Sequence, residues 1–118
     1  MLAPLKNKKK IELLFRLGEK KSSGFFECRC LSSSDDEGVF RFVVVAPKKN
    51  FPRAVDRNKI KRMIREAYRI NKATFYEALH STNTHMQFAL IYQLEEIVAY
   101  SVIEEKIKLV LLRLSKKI

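Results

Sequence analysis

The segment KKNFPRAVDRNKIKRMIREAYRINK, from Lys48 to Lys72, carries the strongest pattern in the chain. It holds ten of the 24 basic residues of the protein but only two of its 13 acidic residues. Between Ile60 and Asn71 a buried stripe recurs at helical spacing, through Met63, Ile64 and Ala67. This spacing predicts an amphipathic helix that begins near Asp56 and continues to about His80.

The basic residues of this helix gather on one side, in an arc of about 140° when each residue turns 100°. In chain order the arc holds Arg57, Asn58, Lys61, Arg62, Arg65, Arg69 and Lys72. A solvated helix face normally mixes charges of both signs, but this arc contains no acidic residue, because Glu66 falls outside it, as does Lys59. Like charges on one rigid surface repel each other unless a polyanion neutralises them, so the arc predicts a surface that binds phosphates.

The charge extends upstream of the helix. Lys48, Lys49 and Arg53 carry it into the preceding loop, which favours a binding surface over an ordinary amphipathic helix whose polar side happens to be basic. Arginine dominates the arc, and its planar guanidinium suits phosphate oxygens and base edges better than lysine does.

The segment AVDRNKIKRMIREAYR, Ala54 to Arg69, resembles the signature of the bacterial ribonuclease P protein component. The family pattern reads Arg-Asn, any residue, an aliphatic residue, Lys-Arg, two residues and Arg. This chain meets it at Arg57, Asn58, Ile60, Lys61, Arg62 and Arg65. The Lys-Lys pair that precedes the signature in the family is present as Lys48 and Lys49, although the loop NFPRAVD that follows is slightly longer than the commonest form.

The resemblance implies a protein subunit of ribonuclease P, the endoribonuclease that removes the 5′ leader of precursor tRNA. The expected partners are ribonuclease P RNA and precursor tRNA. Cleavage is expected from the RNA subunit and its Mg²⁺ ions, with no catalytic residue and no bound cofactor in the protein. The residues expected to contact the catalytic RNA are Lys48, Lys49, Arg53, Arg57, Asn58, Lys61, Arg62, Arg65 and Arg69. Asn58, an amide among cations, suits a hydrogen bond to a base edge or to a metal-bound water, and no residue is assigned as a metal ligand.

The resemblance also places the leader in a cleft between the sheet and the first helix, where aromatic rings stack on bases. Phe15 matches a family aromatic there. Ile11 and Arg29 stand where many members have aromatic residues, so the expected leader contacts at these two positions are apolar for Ile11 and stacking for Arg29.

Composition agrees with an RNA-binding protein. The 118 residues suffice for one domain, and the net charge of +11 favours an anionic partner. No stretch is apolar enough to span a membrane, and the N-terminus lacks the apolar core of a signal peptide, so we expect a cytoplasmic protein. A general RNA-binding module, of ribosomal or chaperone type, shares the charge argument. A peripheral membrane or acidic-protein-binding module is the alternative from another class.

The expected elements in chain order are a helix over Ile11–Leu17, a turn over Gly18–Gly24, strands over Phe25–Leu31 and Val39–Ala46, the long helix, a strand over Met86–Tyr92 and a helix over Ala99–Lys117. A hairpin is the simplest connection between the first two strands, and the second, with its apolar end, reads as central. Phe75, Tyr76 and Leu79 are expected to be packing residues.

The predicted order is a helix, two or three strands, a helix, a strand and a helix. This order predicts a single α+β domain over residues 1–118, an α/β sandwich with helices covering a small sheet. The resemblance implies about four strands, with the basic helix as a left-handed crossover between parallel strands, against the usual right-handed rule.

No protein-borne active site is evident, because the chain has three scattered glycines and neither a phosphate-binding loop nor a metalloprotease motif. No small-molecule substrate is therefore expected. Cys28 and Cys30 are too close in sequence for a good disulfide, and reduced thiols are expected, with a zinc site shared with His80 and His85 as the alternative. The acidic cluster of the loop Ser32–Gly38 is expected to be a solvated turn.

Overall fold

The computed structural model describes residues 8–32, 40–82 and 85–116, which form four helices and four strands. In chain order these are α1 (Lys8–Leu17), β1 (Glu19–Ser23), β2 (Phe26–Ser32), β3 (Phe40–Val45), α2 (Ala54–Asn71), α3 (Ala73–Ser81), β4 (Met86–Tyr92) and α4 (Tyr100–Lys116). The predicted α+β class is confirmed. None of the helices in these ranges is both long and apolar enough to cross a membrane.

The sheet has the strand order β1-β2-β4-β3. β2 pairs antiparallel with both β1 and β4, and β4 pairs parallel with β3. Cys28 on β2 lies opposite Leu90 on β4, and Phe42 on β3 lies opposite Phe88. The basic helix therefore belongs to a crossover between two adjacent parallel strands, as the resemblance implied, while the left-handed sense of this crossover stays a prediction.

The turn predicted over Gly18–Gly24 is wrong, because most of it forms β1. Glu19 pairs with Cys30, and Ser23 pairs with Phe26, so the hairpin joins β1 to β2. Its tight turn includes Gly24 at a φ of 62°, a conformation that glycine adopts without steric cost. β1 is an edge strand of polar residues, and so it lacks the apolar alternation by which a half-buried strand is recognised.

The hairpin predicted between β2 and β3 is also wrong, because β4 lies between these two strands. β3 is consequently at the edge of the sheet. Its apolar run arises because both faces are covered: Phe42 and Val44 are buried in the main core, and Val43 packs against the cluster under α1. The two interior strands are β2 and β4, and β4 is buried at every position except Ile91. The acidic loop residues predicted to form a solvated turn, Asp35, Asp36 and Glu37, lie outside the described residues.

The single helix predicted from Asp56 to His80 is two helices in the structure, interrupted at Lys72. The side chain of Asn71 supplies a physical reason. Its Nδ2 donates hydrogen bonds to the carbonyl of Ala67, at 2.8 Å, and to the carboxylate of Glu104 on α4, at 3.1 Å. A side-chain amide on a carbonyl one turn earlier competes with the backbone bond of the helix.

The sheet separates two regions, which we call the α1 side and the α2 side. On the α2 side the sheet packs against α2, α3 and α4. The buried residues that these helices contribute are Ile60, Ile64, Ala67, Tyr68, Phe75, Leu79, Ile103, Ile107, Val110, Leu111 and Leu114. Phe75 and Leu79 are thus the packing residues that the sequence predicted, whereas Tyr76 is only partly buried. On the α1 side, Leu14 packs on Ala89.

Candidate nucleic-acid interface

The loop before α2 is fixed at both ends. Pro47 ends β3, and its carbonyl accepts hydrogen bonds from the backbone N–H groups of Asn50, at 3.2 Å, and Phe51, at 3.0 Å. The Phe51 ring is buried, with its centroid 5.9 Å from that of Tyr92. Lys48 and Lys49 therefore lie exposed on an anchored turn, which lowers the entropy that they lose on binding a phosphate.

Arg57 ties this loop to the basic helix. Its Nη1 donates to the carbonyls of Phe51 and Pro52, both at 2.8 Å. The sequence predicts Arg57 as an RNA contact, and the structure gives part of its guanidinium an intramolecular role. Because Arg57 holds the loop, it also sets the position of Lys48 and Lys49 relative to α2.

The middle of the predicted arc is open to solvent. Asn58, Arg62 and Arg65 are exposed, and Lys61 is half-buried. In the described part of the chain none of these four side chains forms an ion pair or a hydrogen bond. Cations that the fold leaves unneutralised on a rigid helix form a surface suited to phosphate groups.

Arg69, near the C-terminal end of the arc, and Arg53, in the loop before α2, differ from this middle. Arg69 forms a bidentate ion pair with Glu66, with Nε–Oε2 at 3.0 Å and Nη2–Oε1 at 2.5 Å. The hydrogen bond from Arg69 holds the pKa of Glu66 below its usual range. Just before α2, Arg53 pairs with Asp56 at 3.4 Å. These two arginines carry charge that the protein itself partly neutralises.

Tyr68 explains why the arc is not exposed as a whole. It falls among the basic residues on the helical wheel, yet it is 2% exposed, and its ring centroid lies 5.3 Å from that of Phe42. The exposed face is therefore rotated away from Tyr68, which half-buries Arg57 and Lys61 and brings Glu66 toward the solvent side. An aromatic residue within a basic arc was the sequence signal that could have indicated this rotation.

The residues predicted to bind the leader lie together on the α1 side. Ile11 and Phe15 are half-buried on α1 and pack around Leu14, which touches Ala89 in the centre of the sheet. Gly18 ends α1 as predicted, with its N–H donating to the carbonyl of Leu14 at 2.9 Å. A Cβ at Gly18 would lie 2.4 Å from that same carbonyl oxygen, so the close approach requires glycine.

Arg29 is bound to α1 by a direct contact. Its Nη1 donates to the carbonyl of Phe15 at 2.7 Å, and its Nε lies 3.4 Å from the carboxylate of Glu27. Its guanidinium carbon is 5.9 Å from the centroid of the Phe15 ring. The Phe15 carbonyl belongs to the last turn of the helix, where carbonyls lack helical partners and a cation is favourable. Arg29 therefore positions α1 on the sheet.

A separate cavity of about 260 Å³ lies on the α2 side, between β1, β2 and α4. Cys28, Cys30, Phe88 and Val110 are among the residues that line it. Burial raises the pKa of the Cys28 thiol to about 11, so this thiol is protonated at neutral pH and is no nucleophile. Both cysteines are free, and within the described ranges no three His, Cys, Asp or Glu side chains are grouped to hold a metal ion.

The fold and the exposed cations define a class: small α+β proteins in which a polycationic helix connects two parallel strands. The chain belongs to the ribonuclease P family, whose sequence model matches residues 2–113. This match confirms the resemblance carried by the segment from Ala54 to Arg69.

Two curated relatives are named ribonuclease P protein component. That of Porphyromonas gingivalis is 32% identical over 85 residues, which cover 72% of this chain and 62% of that protein. That of Chlorobaculum tepidum is 38% identical over 78 residues, which cover 63% of this chain and 51% of that protein. The chain therefore matches between half and two thirds of the length of these relatives.

Solved structures agree on the fold. The RNase P protein of Staphylococcus aureus superposes with a TM-score of 0.75 at 20% identity, covering 98% of this chain and 97% of that chain. The RNase P protein of Thermotoga maritima has a TM-score of 0.71 at 25% identity, covering 98% and 96%. Superposition over almost the whole of each chain indicates that the described architecture is that of the family.

Proposed function

We propose that this protein is the protein subunit of a ribonuclease P ribonucleoprotein, which binds the catalytic RNA and promotes removal of the 5′ leader from precursor tRNA. The observation that carries the proposal is the exposed middle of α2, where Arg62 and Arg65 have no internal partner among the described residues. These residues belong to the segment that meets the family signature.

In this proposal the endonucleolytic step belongs to the RNA subunit and its Mg²⁺ ions, which supply the metal-assisted attack of water on the phosphodiester. The protein contributes charge and position. The cations of α2 and the Lys48–Lys49 turn offset the repulsion between two polyanions, and this lowers the concentration of Mg²⁺ that the complex requires. Asn58, exposed between cations, is placed to donate a hydrogen bond to a base edge or to accept one from a metal-bound water.

The leader is proposed to bind on the α1 side, beside Phe15. The ring of Phe15 is half-buried and lies under the guanidinium of Arg29, so a base stacking there would meet an aromatic ring and a planar cation together. Ile11 adds an apolar contact one turn earlier. We propose that this complex works in the bacterial cytoplasm, where precursor tRNA is made.

The test is cleavage of a precursor tRNA by a bacterial ribonuclease P RNA at low Mg²⁺, with and without the protein. We expect the protein to restore cleavage at the mature 5′ end. The variant Arg62→Ala/Arg65→Ala should stimulate cleavage much less, whereas Lys59→Ala, which removes a cation outside the arc, should behave like the wild type.

Two results would contradict the proposal. Tight RNA binding without stimulated cleavage would favour a general RNA-binding module of ribosomal or chaperone type. Binding to anionic vesicles instead of RNA, measured by flotation, would favour a peripheral membrane protein.

A further inference from the structure

The basic side of α2 continues past the helix break into α3. Lys72 keeps right-handed helical dihedrals, with φ −76° and ψ −18°, and its carbonyl accepts a hydrogen bond from the N–H of Tyr76 at 2.8 Å. Side chains three or four residues apart lie on the same face of a helix. The row from Arg65 through Arg69 to Lys72 therefore extends to Tyr76 and His80.

The end of this row is aromatic. The rings of Tyr76 and His80 have centroids 4.7 Å apart and are tilted by 59°, and the Lys72 ammonium lies 5.9 Å from the centroid of the Tyr76 ring. Tyr76 is half-buried and His80 is exposed, while the neighbouring Phe75 and Leu79 make the core contacts of α3. The core thus does not require the ring of Tyr76.

These side chains line an open groove of about 750 Å³ at the junction of α2 and α3. Ile70, which is 53% exposed, forms part of its apolar wall, and Glu77 also lines it. Arg69 also lines the groove, but its charge is engaged by Glu66. Lys72 is therefore the cation in the groove that is left for a ligand.

We propose that this groove binds one unpaired nucleotide of an RNA strand, with its base stacked on Tyr76 next to His80 and its phosphate beside Lys72. The proposal rests on the proposed function, because it requires the RNA to follow the exposed cations of α2. Surfaces that bind single-stranded nucleic acid combine a basic track for the backbone with aromatic rings that stack on bases, and this row has both in sequence. The signature of the family ends before Lys72, so the site extends the interface beyond it.

The test is titration of fluorescently labelled ribonuclease P RNA with the full chain at several salt concentrations. Loss of a stacking platform should weaken binding without changing its salt dependence, because no phosphate contact is lost. We expect Tyr76→Ala to weaken binding about fivefold or more, and Tyr76→Phe, which keeps the ring, to bind within about twofold of the wild type. Lys72→Ala should lower the salt slope by about one unit.

The matched control is Thr74→Ala, an exposed position on another side of α3, which should bind like the wild type. The melting temperature of each variant shows whether it folds. Equal losses in Tyr76→Ala and Tyr76→Phe would overturn the stacking site, as would wild-type affinity in a folded Tyr76→Ala. If Arg62→Ala/Arg65→Ala in the same series also binds RNA with wild-type affinity, the proposed function itself fails. If the Tyr76 variants bind normally but Arg62→Ala/Arg65→Ala binds weakly, the α2 interface is supported and the groove is not part of it.

Discussion

Arginines on the two sides of the sheet have opposite relations to the rest of the protein. On the α1 side, Arg29 is 21% exposed and is held by the carbonyl of Phe15 and the carboxylate of Glu27. On the α2 side, Arg65 is exposed and has no partner in the described part of the chain. Arg29 and Arg65 are the same type of residue with the same charge. Their roles differ because, within the described residues, the fold places hydrogen-bond acceptors beside Arg29 and none beside Arg65. An arginine that the fold satisfies contributes to the structure, and one that it leaves unpaired keeps its charge for an anionic partner.

The largest effect on RNA binding is expected from removal of the unpaired arginines. We expect Arg62→Ala/Arg65→Ala to weaken binding to ribonuclease P RNA by about 2–6 kcal/mol, because charge-assisted hydrogen bonds contribute roughly 1–3 kcal/mol each. The slope of log K against log salt should fall by about two units. Urea denaturation should show an unchanged free energy of unfolding. Undiminished affinity near physiological salt would show that these arginines do not contact RNA.

Alkaline pH should destabilise the α2 side, because that side buries the thiol of Cys28 and the hydroxyl-bearing ring of Tyr68. Burial raises the pKa of Cys28 from 9.0 to about 11, and it also raises the pKa of Tyr68. The folded protein then retains a proton that the unfolded chain loses, so the free energy of unfolding should fall as pH rises from 9 to 11, by up to about 2–3 kcal/mol.

This pH dependence is measured by urea denaturation at pH 8, 9, 10 and 11. Cys28→Ala should be less stable than the wild type at pH 8 but should lose less stability at higher pH. A decline that is equally steep in Cys28→Ala would assign the effect to other groups.

Removal of the satisfied arginine should cost stability. We expect Arg29→Ala to lower the free energy of unfolding by about 1–2 kcal/mol, because the last turn of α1 loses a charge-assisted hydrogen bond. Arg16→Ala removes an exposed arginine from the same turn and should change stability little. Hydrogen exchange in α1 should accelerate in the first variant only. If both variants unfold alike, Arg29 does not anchor α1.

The smallest expected effect comes from converting a satisfied arginine into an unpaired one. Glu66→Gln removes the carboxylate that binds Arg69. It should strengthen RNA binding roughly two- to fivefold at low salt, because the variant lacks a negative charge that repels phosphate. Arg69→Ala should correspondingly weaken binding less than Arg65→Ala does. Weaker binding by Glu66→Gln would mean that Glu66 positions Arg69 for RNA instead of neutralising it.

The sequence was most informative where structure is local. The apolar spacing from Ile60 to Ala67 correctly predicted the buried stripe of α2, because a helix repeats within a few residues. Strand order was not predictable in this way, since the insertion of β4 between β2 and β3 depends on contacts between distant segments. The polar strand β1 was missed because an exposed edge leaves no apolar pattern.

The candidate site shows the same division. The signature segment predicted the exposed cations Arg62 and Arg65 by position. It could not predict the intramolecular bonds of Arg57 and Arg29, because their acceptors are backbone carbonyls, which every residue has and which only the fold brings within reach.

The strand order has a consequence for synthesis of the chain. β4 lies between β2 and β3 but is the last strand to leave the ribosome, and β3 has no other neighbour in the described sheet. Until β4 emerges, the nascent chain can complete the β1–β2 hairpin only, and an unpaired strand precedes the basic helix. The complete sheet on which α2 packs therefore forms only when β4 pairs with β2 and β3. A nascent or truncated chain that lacks β4 should therefore be unable to fold the sheet on which α2 packs, and so unable to order the cations of α2 on one surface.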